Sequence, residues 1–566
     1  MEKSFHKIAL LACAAVVLAA CNRGETIERV SPSIAFDNGT GVYETKIGRG
    51  VTIAPVVENA ADAKYTWTLN GKLVSEEASY TFEIDTPGEY FLTFGVRASN
   101  GTAREDIRID VLELMPPRVS LPVSAEGCIR AVAGRTLTIE PAVVSFDEPA
   151  YVWMVDGAEV STAESLEFRK EAAGDHEVSL TVTNEDGVTT VDAVVRVVDT
   201  PTVTVRFAAA EMSVPAGRTL CIAPIVRDAQ GEVACEWHVD GVRQDGNGLF
   251  FGFAPEAEGR YEVRVVANDG AAVDEATVTV RCEAPENTYY RAAGAASSTK
   301  ANKVYEFTPA PGQFINRGYT AATPQQACAW AEGQLADGNR HVSLGGFGGY
   351  IVAGFDHSVS NTGEYDFAVD GNAFTGSSEP GIVWVMQDEN GDGLPNDTWY
   401  ELKGSEAGRQ TTRQDYEVTY YKPSSERMPV LWSDSEGHTG RVDYLGVQKE
   451  QRSYYPQWIT AESYTLRGTC LGLRNVLDPE SGLWQNRDYE WGYADNYGSD
   501  RDAGELNHDA GARPNYFKIS NAVHADGSAA GLRYIDFVKV QTGVNAKSGG
   551  LGEISTEVFG IRDINM

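Results

Sequence analysis

Three short stretches repeat one pattern: TWTLNG at residues 66–71, VWMVDG at 152–157 and EWHVDG at 236–241. In each, one Trp lies on a run that alternates apolar and polar residues and ends on Asn-Gly or Asp-Gly. Such alternation is typical of a half-buried β-strand, and the closing pair favours a tight hairpin turn. Each stretch therefore predicts a hairpin of a small β-sandwich whose Trp fills the space between two sheets.

The sequence around each Trp repeats as well, at a spacing of about 85 residues. GVTIAP, TLTIEP and TLCIAP precede the three Trp residues, and long alternating runs that close on Asn-Gly or Asp-Gly follow them. We predict three β-sandwiches, at residues 31–114, 115–198 and 199–283, that serve as spacers. The alternative for the Trp residues is an exposed platform for a sugar.

The first 21 residues, MEKSFHKIALLACAAVVLAAC, have a basic start, an apolar run and small residues before Cys21. This order is typical of a secretory signal peptide that is removed from the mature protein. The ending Leu-Ala-Ala-Cys resembles a bacterial lipobox, which implies that Cys21 becomes a lipid-modified N-terminus. The alternative is an ordinary signal peptide in which Cys21 is incidental.

The chain has 566 residues and a formal net charge of -34. Its length predicts several domains, and its acidity disfavours nucleic acid as a partner. Export allows disulfides, but the remaining cysteines show neither a framework nor zinc-site spacing. One bridge within Cys221, Cys235 and Cys282 is possible, and the pairing stays open among Cys128, Cys221, Cys235, Cys282, Cys328 and Cys470.

The composition changes after a predicted linker at residues 284–300, because seven of the ten Trp residues lie in 301–566. A helix is predicted first, with Thr323 as its N-cap, Pro324 as its first residue and Gly338 as its stop. The rest reads as strands, with long loops between the fifth strand and the last group. We predict an all-β protein: three immunoglobulin/PKD-like sandwiches followed by a larger jelly-roll-like ligand-binding domain.

The repeats resemble PKD and immunoglobulin-like repeats of bacterial surface proteins through the Trp-x-Val/Leu-Asp/Asn-Gly turn. GGYIVAGFDHSV, GIVWVMQDENGDGLPNDTWYELKGSE and YIDFVKVQTGV resemble the C-terminal domain of Bacteroidetes cell surface lipoproteins. The resemblance implies a lipid-anchored, surface-exposed protein of the outer membrane, often found among corrinoid (cobalamin) uptake systems. It also implies a distant relation to carbohydrate-binding jelly rolls. The start CNRGE lacks the acidic run that often marks surface export, so surface and periplasmic orientations both stay open.

A metal-type loop follows the predicted strand at residues 382–386. Asp388, Asn390 and Asp392 have the spacing of calcium-loop ligands, and the Leu394 carbonyl fills the next position. Trp399 stands where a closing Glu is expected, so Asp397 or Glu401 would complete the shell. We predict a structural calcium ion. The alternative is a loop stabilised by Asx-turns without any ion.

Aromatic and amide side chains cluster in WGYADNYGSDRDAGE, residues 491–505. Such groups suit a sugar ring or a corrinoid, and the alternative is an ordered loop that uses Asp and Gly for its turns. The candidate ligand-binding residues are Trp399, Tyr400, Trp491, Tyr493, Asp495 and Asn496, with Tyr454, Tyr455 and Trp458 as weaker candidates.

The chain contains no HExxH, G-x-S-x-G or P-loop motif, and its histidines beyond residue 300 are scattered, so no catalytic residue is predicted. We expect a cell-envelope lipoprotein that binds an extracellular glycan or corrinoid without turnover, for nutrient capture. One alternative is a glycoside hydrolase or esterase with an unrecognised site. The other is an adhesive or assembly subunit of a TonB-dependent uptake complex. The oligomeric state stays open.

Overall fold

The computed structural model describes residues 30–124, 126–317, 321–337, 340–446, 451–501 and 513–566. The chain forms two compact units, Met1–Met115 and Pro116–Met566. Almost all regular structure is β, so the all-β prediction is confirmed. Within the described ranges, no helix has the length and apolarity needed to cross a membrane. The predicted signal peptide and Cys21 lie outside these ranges.

The first unit is a nine-stranded sandwich. Five strands form one sheet in the order β2-β9-β8-β5-β6, in which β2 and β9 are parallel, and the pairs β1-β4 and β3-β7 complete the sandwich around a single core. The strands are β1 (Ser33–Ala35), β2 (Val42–Lys46), β3 (Val51–Ile53), β4 (Val56–Glu58), β5 (Lys64–Leu69), β6 (Lys72–Ser75), β7 (Tyr80–Phe82), β8 (Gly88–Ala98) and β9 (Gly101–Leu112).

The second unit begins with two more sandwiches that repeat this strand order, including the parallel pair. The second sandwich contains β10 (Arg118–Ser120), β11 (Cys128–Val132), β12 (Leu137–Ile139), β13 (Ala142–Val144), β14 (Ala150–Val155), β15 (Ala158–Ser161), β16 (Leu166–Phe168), β17 (Gly174–Asn184) and β18 (Gly187–Val198). The third contains β19 (Thr204–Arg206), β20 (Glu211–Pro215), β21 (Leu220–Ile222), β22 (Ile225–Arg227), β23 (Ala234–Val239), β24 (Val242–Arg243), β25 (Phe251–Phe253), β26 (Gly259–Asn268) and β27 (Val273–Glu283).

The repeated Trp residues lie in the three cores, with at most 1% of each side chain exposed. Their indole N–H groups donate to backbone carbonyls, so each buried polar atom is satisfied. The predicted packing is confirmed, and the exposed sugar platform is wrong. The donor and acceptor pairs are Trp67 with Glu77, Trp153 with Ala163 and Trp237 with Gly248.

The turn after each Trp strand has positive φ at both central residues, which is the conformation of a type I′ hairpin. Asn or Asp followed by Gly suits these positions because Asn and Asp tolerate left-handed backbone and Gly has no Cβ to clash. The angles are 50° and 79° at Asn70 and Gly71, 51° and 78° at Asp156 and Gly157, and 48° and 79° at Asp240 and Gly241.

The C-terminal module has one helix, two single-turn 3-10 segments and seventeen strands among its described residues. The elements are β28 (Lys303–Thr308), α1 (Pro324–Asp337), β29 (Val342–Ser343), β30 (Tyr350–Ser360), β31 (Phe367–Gly371), β32 (Gly381–Met386), β33 (Tyr400–Leu402), β34 (Arg413–Tyr421), β35 (Val430–Asp434), β36 (Thr439–Val442), β37 (Ser463–Cys470), β38 (Asn475–Leu477), β39 (Trp484–Asn486), β40 (Arg513–Phe517), the 3-10 turn Ile519–Asn521, β41 (Ala522–Val523), β42 (Tyr534–Thr542), the 3-10 turn Gly549–Leu551, β43 (Glu557–Val558) and β44 (Gly560–Asp563).

Two sheets and the helix share the main core of this module. The larger sheet has six strands in the order β28-β30-β42-β32-β33-β41, and the smaller has the order β40-β31-β44. A four-stranded sheet, β36-β35-β34-β37, packs on a second core. This is a multi-sheet β module, and the jelly-roll fold of this module stays a prediction.

The predicted helix begins as expected, because the Thr323 hydroxyl caps the backbone N–H of Gln326 at 3.2 Å. The predicted stop at Gly338 lies outside the described residues. The long loops expected after the fifth predicted strand are found only in part, at residues 451–462 and 487–501, and the region also contains strands. Strands β35 to β39 lie there, because their short apolar runs pack against β34 or pair with each other rather than alternating along a long strand.

The third sandwich is hydrogen-bonded directly to the C-terminal module. Thr398 exchanges three hydrogen bonds of 2.7 to 3.0 Å with Ser213, and both residues are buried. Arg281 donates to the Asp397 carboxylate at 3.0 Å, and Arg218 donates to the Gln387 side chain at 2.9 Å. The third sandwich is therefore not a free spacer.

The second sandwich also contacts the C-terminal module. Ala142 packs in a small apolar cluster with Met428 and Leu431, and Arg441 pairs with Glu164 at 3.1 Å. The second sandwich is therefore docked on this module through both apolar and charged surface, and its role as a spacer stays a prediction. All six cysteines of the described residues are free thiols.

Thr398→Val is expected to destabilise the second unit. Valine keeps the shape of threonine, but it leaves the buried Ser213 N–H without its acceptor, which costs about 2 kcal/mol. Calorimetric thermal unfolding of the full chain should show a lower midpoint. The exposed Thr277→Val, on β27 of the same sandwich, is the control and should melt like the parent; equal loss in both variants would contradict the account.

Candidate functional site

A cleft of about 400 Å³ opens at one edge of the C-terminal module. It lies where β33 of the six-stranded sheet and the edge strand β40 of the three-stranded sheet end near each other. Backbone bonds join the two sides, since Lys403 N–H donates to the Asn521 carbonyl at 2.9 Å. The cleft is lined by Tyr365, Leu402, Lys403, Trp491, Gly492, Ser499, Asp500, Tyr516, Phe517, Lys518 and Asn521.

Two loops cross tightly at the base of the cleft, and glycine makes this possible. A Cβ at Gly492 would lie 2.5 Å from the Cα of Gly404, and Gly492 has a φ of +90°. The Ser405 N–H donates to the Trp491 carbonyl at 3.0 Å, and the Gly492 N–H donates to Asp500 at 2.7 Å. The crossing thereby fixes Trp491 and Lys403 on the same cleft.

Aromatic rings form part of the cleft wall. Tyr365 and Tyr516 lie with their ring centroids 5.7 Å apart at an interplanar angle of 44°. Tyr365 is 40% exposed, and Tyr516 and Trp491 are half-buried. Partly exposed rings of this kind can pack on a flat apolar ligand surface.

Charged groups of both signs line the same space. Lys403 is exposed, and Lys518 pairs with the exposed Glu364 at 3.1 Å. Asp500 is buried, and burial raises its pKa to about 6 against the opposing effect of the Gly492 N–H. The cleft therefore offers ammonium donors at its rim and a carboxyl group at its base.

The structure separates the residues predicted to bind a ligand. Trp491 lines the cleft, whereas Trp399 is half-buried elsewhere. The other predicted residues lie in the interior and are held by the fold: Tyr400 and Tyr493 are 3% exposed, and Asp495 and Asn496 are 0% exposed. The weaker candidates Tyr454, Tyr455 and Trp458 are core residues as well.

Asn496 and Tyr493 have clear structural roles. Asn496 binds the backbone of Tyr489 through both ends of its amide, at 2.9 and 2.8 Å. The Tyr493 hydroxyl accepts from the Glu406 N–H at 2.9 Å. These contacts match the alternative of an ordered loop.

Sequence reasoning missed Tyr365, Lys403, Tyr516, Lys518 and Asn521, because they come from separate segments that only the sheet edges bring together.

The metal-type loop uses its side chains to cap its own backbone. Asp388 accepts from the N–H groups of Gly391 and Gly393 at 2.8 and 3.0 Å. Asn390 accepts from the Asp392 N–H, and Asp392 accepts from the Leu394 N–H, both at 2.8 Å. These are the Asx-type contacts that the sequence left as the alternative to an ion.

Part of the predicted calcium ligand set still fits a hard cation. Burial and the neighbouring Asp536 raise the pKa of Asp388, so a cation beside it would offset unfavourable negative charge. Asp397 fits poorly, because Arg281 already pairs with one of its oxygens and the Glu389 N–H binds the other. Glu401 instead accepts from the Thr469 hydroxyl. Calcium therefore stays a prediction for Asp388, Asn390, Asp392 and the Leu394 carbonyl.

A buried acidic cluster lies outside the cleft, and the sequence did not indicate it. Carboxylate oxygens of Glu379, Asp495 and Glu557 lie within 4.8 Å of one another. Burial raises the pKa of each, that of Glu557 to about 7. Asp495 also accepts backbone N–H bonds from Asn372 and Ala373, at 2.7 and 2.8 Å. Shared protons or a cation would balance this cluster. A second group that could hold a cation consists of Asp434, Glu436 and His438.

The family profile described as a PKD-like domain matches residues 31–100 and 116–184. The first two sandwiches are PKD-like. The predicted resemblance is thereby confirmed for these two repeats. No curated protein sequence matches the chain.

Several solved structures are similar to part of the chain. The titin I-band fragment I67–I69 shares 15% identity over 45% of this chain and 98% of its own, with a TM-score of 0.22. Fibronectin(III)-like modules of Clostridium thermocellum CbhA share 17% identity over 30% of this chain and 95% of their own, with a TM-score of 0.19. Three N-terminal domains of the bacteriophage RB49 Highly Immunogenic Outer Capsid protein share 14% identity over 45% of this chain and 99% of their own, with a TM-score of 0.22.

Calcium is expected to raise the melting temperature of the parent chain but not that of Asp388→Ala/Asp392→Ala. In chelator the double variant should also melt below the parent, because the N–H caps of the loop are lost. Asp478→Ala is the control: it removes a comparable turn cap at Glu480 and should keep the calcium response. The same calcium-induced shift in all three chains would remove the ion from this loop.

Glu553→Gln is expected to stabilise the protein at alkaline pH. Burial raises the pKa of Glu553 to about 8 from 4.5, and its Oε2 has no hydrogen-bond partner. The ionised form therefore costs stability at and above pH 8, and this cost fades as the pH falls toward 4.5. Melting curves should show the variant above the parent at pH 8 and equal to it at pH 4.5, with the exposed Glu480→Gln unchanged throughout.

Proposed function

We propose that the protein is a binding protein of the bacterial cell envelope whose C-terminal module captures an extracellular glycan in the cleft without turning it over. The observation that carries this proposal is the combination of partly exposed aromatic side chains with charged and amide groups around one space of about 400 Å³. Ligand sites in proteins have volumes of roughly 300 to 1,000 Å³ and combine such apolar walls with a few polar groups.

The chemistry of the cleft suits a sugar ring. The C–H face of a pyranose is flat and apolar, so it packs on rings such as Trp491 and Tyr516. Its hydroxyl edges need donors and acceptors, and Ser499, Asn521 and Lys403 supply both types at the cleft wall. Each half of the ligand thus meets a matching surface.

Cleft size favours the glycan over the corrinoid. The space lies at the lower end of the range for ligand sites, which suits one or a few sugar rings. A corrin macrocycle with its axial nucleotide is much larger and would need a broad, shallow surface. Corrinoid binding is therefore kept as an outcome that the experiment must exclude.

The acids that line the cleft support binding without hydrolysis. Glycosidases that act through carboxyl groups need two of them, separated by roughly 5 to 10 Å across the bond. Among the described residues that line the cleft, Asp500 is the one carboxylic acid. A glycoside hydrolase or esterase remains the rival function.

The cellular setting rests on the sequence. The lipobox-like end of the first 21 residues and the PKD-like repeats support a lipid anchor at Cys21 in the outer membrane, with the module exposed on the surface. We further propose the jelly-roll relationship of the C-terminal module, and a TonB-dependent transporter as the envelope partner that would receive the ligand. The adhesive or assembly role is the alternative for such a partner.

Trp491→Ala is expected to remove most glycan binding, because a lost aromatic stacking surface weakens the complex about tenfold or more. The test is calorimetric titration of the full chain with plant, bacterial and host glycans, and with cobalamin. Trp484→Ala is the control, since this half-buried Trp on β39 lies outside the cleft.

Two outcomes would overturn the proposal. Tight cobalamin binding without any glycan binding would show that the ligand is a corrinoid and not a glycan. Release of new reducing ends from a bound glycan, if it is lost in Asp500→Asn, would show that the protein is a glycoside hydrolase.

A further inference from the structure

We infer that the cleft selects an acidic glycan, in which a carboxylate or sulfate on the sugar meets the ammonium groups of Lys403 and Lys518. This inference rests on the proposed function, because it names the ligand class of the same cleft. Its basis is the placement of two lysines in one small cleft of a chain with 47 basic and 81 acidic residues.

The first lysine is available for a ligand. Lys403 follows β33 directly and is exposed, and within the described ranges its ammonium has no ion pair or hydrogen bond with the protein. Lys422, by contrast, pairs with Glu462 at 3.5 Å. At Lys403 this interaction is left for an incoming anion.

The second lysine has a partner that a ligand can replace. Lys518 pairs with Glu364 at 3.1 Å, but the Glu364 side chain is 84% exposed. Exposed ion pairs of this kind contribute only about 0 to 1 kcal/mol. The Lys518 ammonium also lies 5.1 Å from the centre of the Tyr365 ring, which keeps it at the aromatic wall.

The two lysines are held in a fixed relation by one residue. The Asn521 N–H donates to the Lys518 carbonyl at 3.0 Å, and the Asn521 carbonyl accepts from the Lys403 N–H at 2.9 Å. Their backbones are therefore joined through the single 3-10 turn Ile519–Asn521. Both residues line the same cleft, where we place the anionic group of the ligand.

The carboxyl group at the base does not cancel this positive charge. Asp500 is 4% exposed, and its oxygens already accept from the Gly492 N–H and from the Asn515 amide at 2.7 and 3.1 Å. Its charge is thus engaged by donors of the fold rather than by either lysine. Glu364 is the acid that faces Lys518, and it is the group an anionic ligand displaces.

The bound sugar would contact two different surfaces of the cleft. The aromatic wall of Trp491, Tyr516 and Tyr365 takes the apolar face of a pyranose, and the lysines take the acidic substituent at its edge. Uronic acid residues carry a carboxylate and sulfated sugars carry a sulfate ester, and both are anions that accept charge-assisted hydrogen bonds. Neutral sugars offer only hydroxyl groups to the two ammoniums.

The test is titration of the full chain with four probes: oligogalacturonate, a carrageenan oligosaccharide (a sulfated galactan without uronic acid), a neutral galactan oligosaccharide and dextran. Lys403→Gln and Lys518→Gln are each expected to weaken binding of the acidic probe by roughly tenfold, because a charge-assisted hydrogen bond is lost. Lys422→Gln is the matched control for general attraction of polyanions. Binding of oligogalacturonate alone identifies carboxylate as the anion, and binding of the carrageenan probe alone identifies sulfate.

The inference and the proposed function fail in different ways. Equal affinity for neutral and acidic probes, unchanged in both lysine variants but lost in Trp491→Ala, would overturn the acidic-ligand inference and keep the glycan site. An equal loss in Lys422→Gln would show unspecific charge attraction and would also overturn the inference. Acidic binding that Trp491→Ala leaves intact would instead overturn the proposed glycan cleft.

Discussion

The close crossing of two loops at Gly404 and Gly492 is the constraint on which the candidate site depends. No larger residue fits there, because the Cα of one glycine occupies the space of the other's Cβ. The crossing brings the loop after β33 against the loop that carries Trp491, two segments far apart in the chain. Trp491 and Lys403 line the same cleft for this reason.

The second and third sandwiches are docked on the C-terminal module. Buried, fully satisfied hydrogen bonds such as those between Ser213 and Thr398 favour one arrangement, since separating them would leave polar groups unpaired. The Arg281–Asp397 ion pair ties the metal-type loop to the same junction. The second and third sandwiches are thus structural supports of the C-terminal module, and the loop's acids serve this junction as well as their own turn.

The repeats could be predicted from sequence because their signals are local: one Trp, period-two alternation and a type I′ turn lie within a few residues of each other. The cleft could not, because Tyr365, Lys403 and Tyr516 meet only through sheet pairing across distant segments. Asp495 and Asn496 were misleading for a further reason. The same side-chain oxygens and amides that bind ligands also cap backbone groups, and only the burial of these two residues shows which role they have.

The most direct test of the central claim is a crystal structure of the full chain with oligogalacturonate bound. The account predicts a sugar ring against Trp491 and Tyr516, with its carboxylate within hydrogen-bond distance of Lys403 or Lys518 and its glycosidic bonds intact. A sugar bound at another surface while this cleft stays open, or a cleaved chain in the cleft, would contradict it.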